Sequence, residues 1–377
     1  MDFELDEAQQ DLRGLANDLL SREATPERLT THEQSGAPYD TVTWKALAQA
    51  GLLGACLPEE AGGAGLGAVE LAVLLREIGA HVAPVPAYAS LALGAMTIAA
   101  HGTPDQRALL EGVATGDAVL TGAVREPGTG TVRTTACRTG DAYVLNGVKT
   151  FVPYAAEASH ILVPARTDSG VDVFLVEPPA VELSPHPAAT GEPMARVALR
   201  DVEVRPDARL GGHDEHTDEH RDEHRHSDEG GAWATLSRYA RAGAVAAISG
   251  VVGGALDLTS KHVKTREQFG RALAEFQAVT MQVGDVYIAK RALDVAMWAG
   301  VWRLHHDLED VDEVLAIASY NACDPAMKAL YACQHLHGGL GVDVTYPLHR
   351  YFAWGKHYGH LLGGAEAQLD TIGALCS

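Results

Sequence analysis

Gln334-His335-Leu336-His337-Gly338-Gly339-Leu340-Gly341, running on through Tyr346-Pro347-Leu348-His349-Arg350 to Leu362-Gly363-Gly364, is the stretch that decides the fold. The residues from Pro325 to Leu336 predict a helix that ends in a glycine turn. Gly338, Gly339 and Gly341 allow positive φ and a close approach of backbone to a ligand. Tyr346-Pro347 then restarts an ordered segment that can run as helix to Leu362. Taken alone, such a turn is a helix C-cap.

The turn has company upstream. Arg266-Glu267-Gln268-Phe269-Gly270 is followed by Phe276-Gln277-Ala278-Val279. Around them the spacing predicts a long Ala- and Gly-rich helix, Trp233 to Val263, then helices near Phe276–Trp298, Val314–Ala322 and Pro325–Leu336. That is enough for an up-and-down bundle. The first third is helical too. Phe3, Leu5, Ala8, Leu12, Leu15, Ala16 and Leu19 recur at helical spacing, Trp44 to Leu53 repeats the pattern, and Val69–Ile78 and Tyr88–Ala100 follow after a Leu57-Pro58-Glu59-Glu60-Ala61-Gly62-Gly63 break. Between them the period changes. Ala118–Val124, Ala142–Leu145, Val148–Val152, Ile161–Ala165, Val171–Val176 and Arg196–Val204 predict strands, with Asn146-Gly147 as a hairpin turn. These strands make a small antiparallel barrel or sandwich.

Composition narrows the function. The chain has 377 residues, 46 % of them hydrophobic, and a formal net charge of −21. That length implies two or three domains. The acidity argues against nucleic acid, which needs a basic face. Five cysteines without paired or metal-type spacing suit a reducing cytoplasm. The acidic N-terminus is no secretory signal, and no apolar run is expected to reach membrane-spanning length. His213–Glu229 repeats Asp-Glu-His, with eight acids against two arginines. Such a tract predicts a solvated loop whose histidines could collect Zn²⁺ or Ni²⁺ adventitiously, without a dedicated metal site.

As a set, in this order, these segments resemble the acyl-CoA dehydrogenase family, and the resemblance covers nearly the whole chain. The family's C-terminal domain carries an Arg-x-x-Phe-Gly segment, a following Gln and a Gln-x-x-Gly-Gly-x-Gly turn. Its N-terminal domain has the Leu-Pro-Glu-Glu-x-Gly-Gly break. Val124-Arg125-Glu126-Pro127-Gly128-Thr129-Gly130-Thr131 looks like its Thr-Glu-Pro-x-x-Gly-Ser segment, and Lys149-Thr150-Phe151-Val152-Pro153 matches a strand that lays an aromatic and a Thr on the flavin. The implied fold is α+β: an N-terminal helical domain (1–117), a middle antiparallel β domain (118–212), the His/Asp/Glu-rich loop (213–231) and a C-terminal four-helix bundle (232–377). The resemblance implies FAD as cofactor, with Arg125, Thr131, Phe151, Pro153, Arg266, Phe269, Gln277, His335, Gly338 and Gly339 at its positions. Arg266 and Phe269 are expected to reach a neighbouring subunit's flavin. It also implies an acyl-CoA or other acyl thioester substrate, electron-transfer flavoprotein as acceptor, and a related α2β2 subunit or a homo-oligomer.

The chain departs from that pattern. Arg125 stands where the family has Thr, and Pro153 where it has a hydroxyl residue. The family's carboxylate base sits before a Gly, about 24 residues after the first turn glycine, or on the first C-terminal helix before an Arg. Leu362 and Ala240 hold those positions, and Glu366 is the nearest acid to Leu362. Two readings follow. One is a subunit without its own base, working beside a related subunit, as in actinobacterial heterotetrameric members acting on steroid side chains or other bulky acyl thioesters. The alternative is a diverged protein with other flavin chemistry, or with acyl-thioester binding only.

Overall fold

The computed structural model describes residues 4–128, 130–211 and 231–376. Three regions follow along the chain, helical, β and helical. By compactness they group into two units. The first holds Met1–Thr43, Gly67–Val85 and Arg241–Ser377, the second Trp44–Leu66 and Pro86–Ala240. The tract His213–Glu229 lies outside the described residues.

In the first unit, α1 (Glu7–Glu23) starts where the Asp6 carboxylate accepts from the Gln9 N–H and the Gln9 side chain reaches back to the Asp6 N–H. It buries Ala16, Leu19 and Leu20, and packs on α4 (Ala68–Ala80). Pro26 opens α2 (Pro26–Ser35), and Gly36 closes it at φ 69°. The bundle consists of α8 (Ala232–Thr265), α9 (Gln277–His305), α10 (Val311–Cys323), α11 (Pro325–His337), α12 (Leu348–Leu361) and α13 (Ala365–Leu375). α9, α10 and α11 pack together, α12 on α11 and α13 on α10.

The small residues of α8 are explained by close helix packing. A Cβ on Gly250 would stand 1.8 Å from the Arg76 carbonyl oxygen, and one on Gly79 2.1 Å from that of Ala247. So α4 and α8 cross backbone to backbone, which only glycine permits. One expectation is corrected here. α8 does contain an 18-residue window of mean hydropathy 1.5, long and apolar enough to cross a membrane. Of that window, 78 % is buried within the protein, as in the core helix of a water-exposed domain. Across the bundle Arg350 clamps α12 to α2, its Nε 2.6 Å and its terminal nitrogen 2.8 Å from the Glu33 carboxylate.

The second unit carries the end of α3 (Thr41–Gln49), a helical stretch and the sheet. Tyr88–Ala95 winds as a buried π-helix and continues as α5 (Met96–His101), where a single α-helix is expected from the sequence. It presses on the first strand so closely that a Cβ on Gly94 would meet Leu120 at 2.5 Å. α6 (Pro104–Arg107) and α7 (Leu109–Ala114) lead into the strands β1 (Leu120–Gly122), β2 (Thr135–Thr139), β3 (Ala142–Pro153), β4 (His160–Thr167), β5 (Gly170–Val176), β6 (Glu182–Pro187) and β7 (Pro193–Val204). They form one sheet in the order β1-β4-β2-β3-β7-β6, with β5 on the other edge of β4. Pairing is antiparallel except where β1 and β2 each run parallel to β4. Tyr143, Leu145, Val152, Ile161, Phe174, Val197 and Leu199 build its core.

Asn146-Gly147 is not a hairpin turn. β3 runs straight through it, and the turn to β2 lies at Gly140-Asp141, with Gly140 at φ 61°. Asn146 instead exchanges two hydrogen bonds with Asp201 of β7, 2.9 and 3.0 Å, where the β3–β7 register shifts. Gly147 leaves room for Thr134, whose Oγ1 would lie 2.4 Å from a Cβ. The Asn-Gly pair serves a bulge.

Candidate functional site

In the sheet unit the expected residues gather at a second bulge. Lys149 pairs with Val197 and Val152 with Ala195, so Thr150 and Phe151 face one residue of β7. Phe151 adopts φ 54°, a conformation that costs a residue other than glycine about 1–3 kcal/mol. The strain turns its ring outward, 47 % exposed. The Arg125 guanidinium lies over that ring at 5.7 Å, and His186 meets it edge-on at 5.4 Å. The Arg125 carbonyl accepts from the Thr150 N–H at 2.9 Å, tying the loop to the bulge.

Beneath this surface lies a charge pair that sequence reasoning missed. Lys149 Nζ is 2.6 Å from Glu126 Oε1, with side chains 0 % and 8 % exposed. Glu126 also accepts from the Thr134 hydroxyl (2.7 Å) and N–H (3.1 Å) and from the Arg133 N–H (2.8 Å). Burial works to raise the Glu126 carboxyl, but the bonds from Lys149 and Thr134 outweigh it and hold it below its ordinary value. Burial pushes Lys149 down to about 8 against the pull of Glu126.

Pro153 and Thr131 are placed differently at this surface. Pro153 is buried, has no N–H, and its carbonyl already accepts from the Thr121 hydroxyl at 2.6 Å. Thr131 is exposed. The sheet surface therefore offers an aromatic ring, the Arg125 guanidinium and the exposed Thr131 hydroxyl, with no donor from Pro153.

The helical unit is better supplied. After α8, β8 (Glu267–Gln268) and β9 (Arg271–Ala272) form a hairpin whose two loop residues, Phe269 and Gly270, have φ 54° and 76°. Two successive positive φ values match the turn preferred in two-residue hairpins, which asks for Asn-Gly rather than Phe-Gly. Phe269 is 94 % exposed. It meets Phe276 edge-on at 6.3 Å, and Arg271 lies 4.0 Å over Phe276. The hairpin thus folds back on the start of α9, whose first residue, Gln277, is exposed and whose N-terminus has no side-chain cap.

The glycine turn lies at the end of α11. Gly338 takes φ 60°, and a Cβ on Gly338 or Gly339 would meet nothing within 4 Å, so their backbone faces open space. Gly341 is the tightly packed glycine, its Cβ position 2.5 Å from the Gln334 carbonyl oxygen. Gln334 turns inward and donates to the Gly341 carbonyl at 3.2 Å. His335, three residues before Gly338, is exposed. Arg266 carries a guanidinium, Gln277 an amide at an uncapped helix N-terminus, and the glycine turn open backbone N–H groups, each a kind of donor that suits a phosphate.

No carboxylate stands at either expected base position. Leu362 caps α12 and its carbonyl accepts from Gln368 at 2.5 Å. Gly363 and Gly364 then break the chain at φ 97° and 83°. Glu366 starts a separate helix, α13, and is exposed, so it does not continue the Leu362 face. In the sheet unit Ala240 is buried and its carbonyl accepts from the Tyr88 hydroxyl at 3.1 Å.

The N-terminal domain model of acyl-CoA dehydrogenases matches residues 6–117, and the C-terminal domain model residues 234–375. Acyl-CoA dehydrogenase FadE27 of Mycobacterium tuberculosis is 34 % identical, over 99 % of this chain and 98 % of its own. The ChsE4–ChsE5 complex from Mycobacterium tuberculosis contains a chain that superposes with a TM-score of 0.90 at 32 % identity, over 99 % of this chain and 98 % of that one. A variant of the Tcur3481–Tcur3483 steroid ACAD superposes with a TM-score of 0.89 at 39 % identity, over 98 % of both chains.

Proposed function

The chain belongs to the acyl-CoA dehydrogenase family, FAD-dependent oxidoreductases acting on CH–CH bonds, and from that premise we propose that it is the base-less subunit of a heteromeric member. It works beside a related subunit in an α2β2 assembly, on a bulky acyl thioester of the kind a steroid acyl-CoA dehydrogenase takes. Electrons leave to electron-transfer flavoprotein. The observation that carries this is a contrast. The helical unit presents Arg266, a strained Phe269 at 94 % exposure, Gln277 and an open glycine turn, whereas Leu362 and Ala240 occupy the base positions.

FAD, when bound, would supply the hydride-accepting chemistry for the β-hydrogen of the thioester. Arg266 grips the pyrophosphate as a bidentate donor, and Gln277 adds amide donors. The α9 N-terminus contributes its partial positive charge. Phe269 covers apolar cofactor surface that water would otherwise reach. The Gly338 and Gly339 amides approach without side chains in the way, and the exposed His335 precedes them on the last turn of α11. Neither Leu362 nor Ala240 can accept a proton, so the α-proton goes to a carboxylate of the related subunit. Pro153 brings neither hydroxyl nor N–H to the sheet surface, which supports a larger share of the cofactor contacts falling to the helical unit.

Co-expression with a related subunit tests the reading. The expected result is a stoichiometric, yellow complex. A lone chain that binds FAD and oxidises acyl-CoA at an ordinary rate would refute it.

A further inference from the structure

Two histidines with no part in that chemistry meet at the root of both cofactor-facing segments. His262 lies in the last turn of α8, just before Arg266, and His337 ends α11, directly before Gly338. Their imidazoles stack at 4.2 Å with 21° between the planes. The Tyr346 ring lies 5.3 Å from His337 and 6.5 Å from His262. His337 is buried. Its Nδ1 is 2.8 Å from the Cys333 carbonyl oxygen, which only accepts, so Nδ1 carries a proton. Its Nε2 lies 3.3 Å from the Tyr346 hydroxyl, which can donate to it only while the ring is neutral. A protonated Nε2 would instead donate to the Tyr346 oxygen, so that bond survives a second proton. What acid adds is charge, first a cation laid flat on the other imidazole and then two cations 4.2 Å apart.

We propose that the His262–His337 stack is a positioning joint, which holds the Arg266 hairpin and the Gly338 turn in their cofactor-binding arrangement while both rings are neutral and loosens it in acid. This rests on the reading of Arg266 and Gly338 as cofactor contacts.

The surroundings offer an imidazolium little. Burial first, then the neighbouring ring and the Arg266 charge, holds His262 below the ordinary histidine range. Burial, against the bond to Cys333, does the same for His337. On α11 the Cys333 thiol is pushed by burial up to about 11 and stays neutral. Burial likewise raises Tyr346. Asp343 is exposed and bonded to Thr345. On α12, His349 Nδ1 lies 2.7 Å from the Tyr346 carbonyl oxygen. Both rings are depressed, so the sign is fixed. The joint is intact above the ordinary histidine value of 6.5 and is lost as pH falls below it through the lowered values.

The test uses the assembled, FAD-loaded complex between pH 8 and pH 5. FAD release is followed by flavin fluorescence, and the histidines by C2-proton exchange in mass spectrometry. In the wild type the FAD dissociation constant should rise by up to about tenfold per pH unit per proton taken up, with histidine midpoints below 6.5 for both residues. His262→Phe keeps a stacking ring that cannot titrate. It should retain FAD at pH 8 and move the acid loss to lower pH. An unmoved loss, or ordinary midpoints at both histidines, overturns the proposal. Arg266→Ala serves as the control. Unchanged FAD retention at pH 8 in that variant would refute the cofactor reading of Arg266, while the midpoints would still decide whether the stack favours neutral rings.

Discussion

Replacing Glu126 by Gln would leave the Lys149 ammonium in a site where its side chain is 0 % exposed and its 2.6 Å partner is gone. Two routes bound the cost. Removing one partner of a buried pair costs about 3–5 kcal/mol. Alternatively the amine sheds its proton. From the ordinary lysine value of 10.5 down to pH 7 is about 3.5 pH units, or roughly 5 kcal/mol at about 1.36 kcal/mol per unit. The routes agree, so amides of β3 should lose roughly 10²–10⁴-fold in hydrogen-exchange protection. The pH dependence supplies a second mark. In the variant the folded state holds the amine neutral while the unfolded state keeps it protonated, so local stability should rise by about 1.4 kcal/mol per pH unit from pH 7 upward. In the wild type Lys149 remains protonated up to about 8, and the corresponding rise starts only there. Lys149→Met with Glu126→Gln removes both ions and should recover most of the loss. Native-state exchange of peptides spanning 142–153, corrected for intrinsic rates, reads all three. Wild-type protection in the single variant, or a double variant no better than the single, would refute the argument.

Other outcomes follow from the same coordinates. Arg266→Ala should weaken FAD retention in the assembled oligomer by about 1.5–3 kcal/mol, the worth of a charge-assisted bond; equilibrium dialysis at pH 8 measures it, and an unchanged constant makes Arg266 a surface cap. Glu366→Gln should leave turnover of the assembled complex unchanged, and the lone chain should bleach its flavin with acyl-CoA about 10²–10⁴-fold more slowly than the complex; rapid bleaching that Glu366→Gln abolishes would make Glu366 the base. Gly250→Ala sets a helix-propensity gain of about 1 kcal/mol against a Cβ 1.8 Å from the Arg76 carbonyl. Overpacking of about 1–3 kcal/mol or more should win and lower the melting temperature; a rise would mean that α4 and α8 cross less closely.

What could be read from the sequence was local chemistry. The glycine turn after α11 and the amphipathic helices carry their own signals. Features set by partners distant in the chain were not legible. Asn146-Gly147 has the composition of a hairpin turn, and only Asp201 and Thr134 make it a bulge. β2 and β6 escaped because most of their residues face outward without apolar alternation, and β6 carries Pro185 and Pro187. The small residues of α8 suit a roomy cavity as well as a tight crossing until α4 is seen against them. The Lys149–Glu126 pair and the His262–His337 stack each join side chains that no spacing rule connects.

The Phe269 turn has a consequence for engineering. A stabilisation scheme that scores this chain by itself would replace Phe269 with Asn, since Asn-Gly suits two left-handed residues and a ring at 94 % exposure gains little from its one edge-on contact with Phe276. The redesigned monomer would melt later and purify more cleanly. If, as proposed, Phe269 meets a related subunit, the redesign would also have discarded the side chain that makes that contact, so optimising the part would disable the machine.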